Sequence, residues 1–121
     1  MAAADPRHTL AAVARGRWGE DRAAQHYRRA GFQIVDRNWR CGDGEIDLIA
    51  RRGDLVVICE TKARRTDRFG PATSAVGVRK QQRLRGLAAR WLRETGTSGV
   101  TVRFDVAAVT GVELEIIAGA F

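Results

Sequence analysis

Apolar residues recur at helical spacing in two stretches of the chain and at strand spacing in five, in the order helix, three strands, helix, two strands. Within Arg17–Ala30, a step of about 100° per residue gathers Ala23, Ala24 and Tyr27 on one face, and Gly31 ends the helix. Phe32–Arg40 reads as a first strand carrying Ile34 and Val35. Glu45–Arg52 and Leu55–Lys62 flank Gly53-Asp54, a tight-hairpin signal. A second helix is predicted over Ser74–Thr95 and closed by Gly96. Its stripe is Leu84, Leu87, Ala88, Trp91 and Leu92. Traced backwards, that stripe passes through Lys80 and Gln81, so Lys80 should point at the sheet from the helix's N-terminal end. Val100–Val109 alternates Val102, Phe104 and Val106 against Asp105, and Leu114–Ala118 makes the last strand.

Some charges break these apolar patterns. With a two-residue loop, Asp47 faces Glu60 and Glu45 faces Lys62, and all four side chains share one face of the hairpin. Facing carboxylates repel by a few tenths to about 1 kcal/mol, and burial next to Val56 and Ile58 raises that cost. Two arrangements remove the conflict. A divalent cation between the carboxylates is one; an ion-pair cluster with Lys62 and a nearby arginine is the other. Glu20 also lies on an apolar stripe, where a carboxylate is unusual without a partner; near the first turn it complements the helix dipole. Asp105 is expected to be a structural partner for an arginine.

Composition narrows the class of partner. The 121 residues suit one domain, 16–121, preceded by an alanine-rich stretch, 1–15, that is either a short helix capped by Thr9 or a basic arm. A net charge of +7 favours polyanions, nucleic acid first. No helix has the strongly apolar face of a membrane anchor, and no leader-like segment is apparent, so a cytoplasmic location is expected. Cys41 and Cys59 lack zinc-site spacing, and Cys59 should be a small buried apolar residue. The 21 basic residues include two lysines, Lys62 and Lys80, and both fall at positions of chemical interest. Arg64, Arg65 and Arg68 lie in a polar loop, Ala63–Thr73, leaving the hairpin, and are candidate phosphate contacts. Trp39 is expected to pack in the core rather than stack on a base.

Asp47 followed by Glu60-Thr61-Lys62 resembles the PD-(D/E)xK nuclease motif. The wider ordered set is more specific: Gly19-Glu20, Arg37-Asn38-Trp39-Arg40, Gly44 to Ala50, Glu60 to Arg64, Lys80 with Arg83, and Arg103 to Val106. It resembles the YraN-like family of small bacterial proteins, related in fold to archaeal Holliday junction resolvases. The likeness spans about Arg17 to Phe121, with Ile46 in place of the nominal proline and Thr61 in place of an aliphatic residue. It implies an α/β, restriction-endonuclease-like fold, a central mixed sheet flanked by helices in the order α-β-β-β-α-β-β. It also implies a site in which Asp47 and Glu60, with Glu20, bind Mg²⁺ or Mn²⁺ and Lys62 assists catalysis. Lys80 and Arg83 would hold the backbone of DNA, branched DNA included, with Glu45 and Gln81 in support. Dimerisation follows by analogy alone. The competing readings are a non-catalytic nucleic-acid-binding module and a basic interaction protein with a structural ion-pair cluster.

Overall fold

The computed structural model describes residues 10–64 and 77–121, with side chains described over 16–62 and 77–121. The element order is α1 (Leu10–Arg29), β1 (Gln33–Cys41), β2 (Gly44–Arg52), β3 (Leu55–Arg64), α2 (Val78–Thr95), β4 (Thr101–Thr110) and β5 (Glu113–Ile117). The expected sequence of elements is therefore observed, with shifted ends. The first helix starts at Leu10 and runs through Gly16, rather than starting at Arg17. The second starts at Val78, because Gly77 before it is extended (φ −71°, ψ 166°); it closes at Gly96 in the left-handed conformation (φ 65°). What precedes Leu10 lies outside the described residues, as do Arg65 and Arg68.

The five strands form one sheet in the order β1-β2-β3-β4-β5. All neighbours are antiparallel except β3 and β4, which run parallel. A parallel pair needs a crossover, and α2 is part of the connection that makes it. The carboxyl ends of β3 and β4 consequently share one end of the sheet, where Glu60 pairs with Val106 and Lys62 with Ala108. The hairpin closes as expected, with Arg52 opposite Leu55. Gly53 has φ 59° and Asp54 has no positive φ, the pattern of a type II′ turn.

Each helix covers one face. Beneath α2 lie Ile46, Ile49, Val56, Ile58, Phe104 and Val106 against Leu84, Leu87, Ala88 and Trp91. Trp39 packs at the margin of this cluster, so the core reading of that residue holds. Beneath α1 lie Leu48, Ala50, Val57, Cys59 and Ala107 against Ala23, Ala24 and Tyr27. Burying each large apolar side chain contributes about 1.5–3 kcal/mol, and the two faces share that role. The alternation of β3 explains the partition: Val56 and Ile58 face α2, Val57 and Cys59 face α1. Gly19 lets α1 lie close on the carboxyl end of the sheet. A Cβ there would stand 3.0 Å from Val109 Cγ2 and 3.4 Å from Thr61 Cγ2.

Candidate functional site

Ile46 and Ile49 both pack under α2 although they are three residues apart, which strict alternation forbids. The alternation of β2 therefore breaks between them, at Asp47. Across on β1, Arg37 pairs with Leu48 and Trp39 with Ile46. Asn38 between them has φ 53°, in the left-handed region that Asn tolerates better than most residues. On the other side, the pairing of β2 with β3 extends from Arg52↔Leu55 to Leu48↔Cys59 and stops. The Thr61 N–H, free of a β2 carbonyl there, donates to Asp47 Oδ2 at 2.9 Å. The strictly opposed Asp47–Glu60 pair expected from a regular hairpin is thus replaced by an irregularity that turns the carboxylate inward.

Asp47 and Glu60 both line an open pocket of about 200 Å³ between the sheet and α2. Glu45, Gly44, Lys80, Arg83, Leu84 and Leu87 complete it. Gly44 allows α2 to approach: its φ is 144°, and a Cβ would meet Leu87 Cδ1 at 3.3 Å. Burial pushes the Asp47 carboxyl up to about 7, and the neighbouring carboxylate of Glu60 adds to the rise. The Thr61 amide opposes it, while Glu45 and Glu20 reinforce it.

The cations of the site are distributed differently from the sequence-based expectation. Lys62 is exposed, does not line the pocket, and forms no ion pair with Glu45, Asp47 or Glu60. The hairpin twists and its pairing lapses before Lys62, so the shared four-residue face does not form. Glu45 pairs instead with Arg40 (Glu45 Oε2 to Arg40 Nε, 2.7 Å). Lys80 reaches down from the first turn of α2 and pairs with Glu60 at 2.6 Å. Its predicted direction is thus observed. Arg83 lines the pocket as well, whereas Gln81 is half-buried outside it. Arg64 ends β3, and its side chain lies outside the described residues.

Glu20 is buried but does not line the pocket. Its Oε1 accepts from Arg37 Nε at 2.9 Å and from Asn38 Nδ2 at 3.0 Å. It therefore braces the left-handed residue that stands across from Asp47, and it orients the site from behind. Asn38 and Arg40 were the residues whose roles sequence reasoning missed. Their signal was present in the ordered Arg37-Asn38-Trp39-Arg40 motif, but nothing in spacing assigns an Asn to a left-handed backbone.

A second buried carboxylate, Asp105, is fully partnered. Arg103 donates to both of its oxygens (2.8 and 2.9 Å), Tyr27 Oη donates at 2.7 Å and Gly119 N at 3.0 Å. The expected arginine partner is present. Burial, with Cys59 and Asp105 adjacent, pushes the Tyr27 hydroxyl far above its ordinary range, so it remains a donor. Burial also pushes the Cys59 thiol up to about 12, which leaves it unreactive near neutral pH. Both cysteines are free.

The chain is similar to proteins of known family. Residues 19–109 match the uncharacterised protein family UPF0102. The chain belongs to that family. Members of UPF0102 similar to it include a protein of Frankia casuarinae, 50% identical over 111 residues, covering 88% of this chain and 94% of the relative. A protein of Acidothermus cellulolyticus is 46% identical over 121 residues (88% and 92% covered), and one of Rhodococcus jostii is 50% identical over 97 residues (80% and 82%). The YraN-like resemblance is thereby placed in UPF0102. The matched stretch, 19–109, contains Glu20, Asp47, Glu60, Lys62, Lys80 and Arg83. No described helix is long and apolar enough to cross a membrane.

Proposed function

We propose that this UPF0102 protein is a metal-dependent, nuclease-type domain acting on DNA phosphodiesters, with a restriction-endonuclease-like core. The observation that carries the reading is that half-buried Asp47 and buried Glu60 line one pocket whose other walls bear Lys80 and Arg83; burial and Glu60 raise the Asp47 carboxyl to about 7. Asp105 accepts from four donors, whereas Asp47 accepts from the Thr61 amide.

Asp47 and Glu60 are oxygen donors suited to a hard divalent cation, Mg²⁺ or Mn²⁺, at an open pocket. The described residues hold no group of three or more His, Cys, Asp or Glu side chains arranged for a metal, so the Thr61 carbonyl and water would complete the set. When bound, such an ion supplies Lewis-acid polarisation of a phosphate oxygen and a water of lowered pKa. Asp47, in its deprotonated form, and Glu60 would hold the ion through their carboxylate oxygens. Glu20 keeps Asp47 in place through Asn38. Lys80 and Arg83 bind phosphate oxygens and compensate their charge. Lys62 stands outside the pocket, where it would meet the substrate as it enters. The +7 charge supports a polyanionic substrate.

One observation favours a second reading, a non-catalytic binding module: the motif lysine, Lys62, does not reach the pocket. A cleavage panel of linear, single-stranded, flap and four-way-junction DNA with Mg²⁺ and Mn²⁺ separates the two. Cleavage that Glu60→Gln abolishes supports the nuclease. Metal-independent binding without turnover on any substrate supports the module.

A further inference from the structure

The strongest cation contact in the pocket is made by the protein itself. Lys80 Nζ lies 2.6 Å from Glu60 Oε1. Glu60 is buried, its side chain 9% exposed, whereas Lys80 is 44% exposed. The ion pair thus joins a fixed acid on a central strand to a mobile ammonium on the rim, at the start of α2. Among the described residues, Asp47 beside it forms no ion pair.

We propose that Lys80 is an exchangeable counter-ion: it stands in for the divalent cation at Glu60 when the site is empty, and it transfers to a substrate phosphate when the cation binds. The inference rests on the cation-binding reading above and names a coupling within that site. Glu60 Oε1 has limited room. An ammonium at 2.6 Å and a divalent cation repel each other, so occupancy by one weakens the other. Lys80 sits on a helix with four rotatable bonds in its side chain and half its surface in water, so release is easy. Arg83 is one helical turn along and lines the same pocket, so a released Lys80 has a neighbour with which to clamp phosphate. Coupling is reciprocal: a phosphate that draws Lys80 from Glu60 favours cation binding by the same factor that the cation favours phosphate.

The device also meets the problem set by an acidic site that must accept a polyanion. Without a cation, Lys80 lowers the negative charge at Glu60. With one, the lysine adds its charge where the phosphates lie. Lys62 cannot take this part, because it is outside the pocket.

Mn²⁺ binding to the full chain, measured calorimetrically with and without a short DNA duplex, tests the proposal on wild type, Lys80→Gln and Lys80→Arg. Thermal melts confirm that each variant is folded; Lys80 is exposed enough for both to be so. Without DNA, Lys80→Gln should bind Mn²⁺ about three- to fivefold more tightly, the worth of one half-exposed ion pair. Lys80→Arg, which keeps the charge, should stay near wild type. The factor by which DNA tightens Mn²⁺ should fall in Lys80→Gln. Equal or weaker Mn²⁺ binding by Lys80→Gln, or an undiminished DNA effect, overturns the exchange and leaves the cation site standing. Absence of Mn²⁺ binding in all three proteins overturns both.

Discussion

Asp47 is a half-buried and Asp105 a fully buried carboxylate on strands of one sheet, and their surroundings are opposite. Asp105 receives four donors, two of them from a guanidinium, and its oxygens have nothing left to accept. Asp47 accepts from the Thr61 amide and lies beside the Glu60 carboxylate, and burial pushes its carboxyl up to about 7. The first arrangement fastens β4 to α1 and to the segment after β5; the second leaves capacity for a ligand. The proposed function reads the difference as one between an acid that stabilises the fold and an acid kept for a ligand.

The largest effect should come from the chemistry. Glu60→Gln keeps the shape of the pocket while removing a charge and the partner of Lys80. Cleavage should fall by at least about 100-fold, whereas DNA affinity at fixed salt should hold or rise, since a negative charge near phosphate is gone. Full activity in this variant would remove Asp47 and Glu60 from the catalytic role and erase the contrast with Asp105.

Next in size is the loss of the filled carboxylate. Asp105→Ala leaves Arg103 and the Tyr27 hydroxyl without their acceptor, at a cost of about 3–5 kcal/mol. Urea unfolding measures it. A change below 1 kcal/mol would mean that Asp105 is no more structural than Asp47.

Asp47→Asn should act in the opposite direction. In chelator at pH 8 it should stabilise the protein by about 1–3 kcal/mol, because it removes a charge that burial and Glu60 both disfavour. With millimolar Mn²⁺ the ranking should reverse, since a ligand bound only by the folded state stabilises wild type. If Asp47→Asn melts well below wild type in chelator and Mn²⁺ shifts neither, the acid is structural after all.

The pH dependence sharpens the same point. A folded-state carboxyl near 7 against an ordinary value near 3.8 means that folded protein keeps a proton the unfolded chain loses. The stabilising contribution is therefore complete below about pH 4, is lost as pH rises from about 4 to 7, and is constant above that. The stability gap between Asp47→Asn and metal-free wild type should widen across that window and then level. Mn²⁺ affinity should rise over the same range, as proton competition at Asp47 ends. A gap independent of pH would place the carboxyl at its ordinary value.

The smallest effect is Tyr27→Phe, which removes one of the four donors to Asp105 and should cost about 1 kcal/mol. A larger loss would show that Asp105 depends on the tyrosine more than on the guanidinium.

Much of this was legible in the order of residues. Periodicity placed both helices and all five strands, because alternation and the 3.6-residue stripe are local consequences of which side chains must leave water. It also aimed Lys80 at the sheet, paired Asp105 with an arginine and buried Cys59. Helix starts were less legible, since Gly16 does not interrupt α1 and Gly77 delays α2. The partners of the acids were read wrongly where they depended on strand regularity. Extending an ideal hairpin to its end put Lys62 beside Glu45; the observed pairing lapses at Leu48↔Cys59, and Arg40 and Lys80 take the acids instead.

By itself, then, the sequence determined the elements, their order and the two apolar faces, all properties of neighbours along a chain. Tertiary structure alone decided which cation meets which acid. That choice turns on the left-handed turn of Asn38, braced by Glu20 from α1, and on how far α2 settles over Gly44. Both arise when elements distant in sequence pack together, and a side chain of Lys80's length reaches Glu60 only after they have done so.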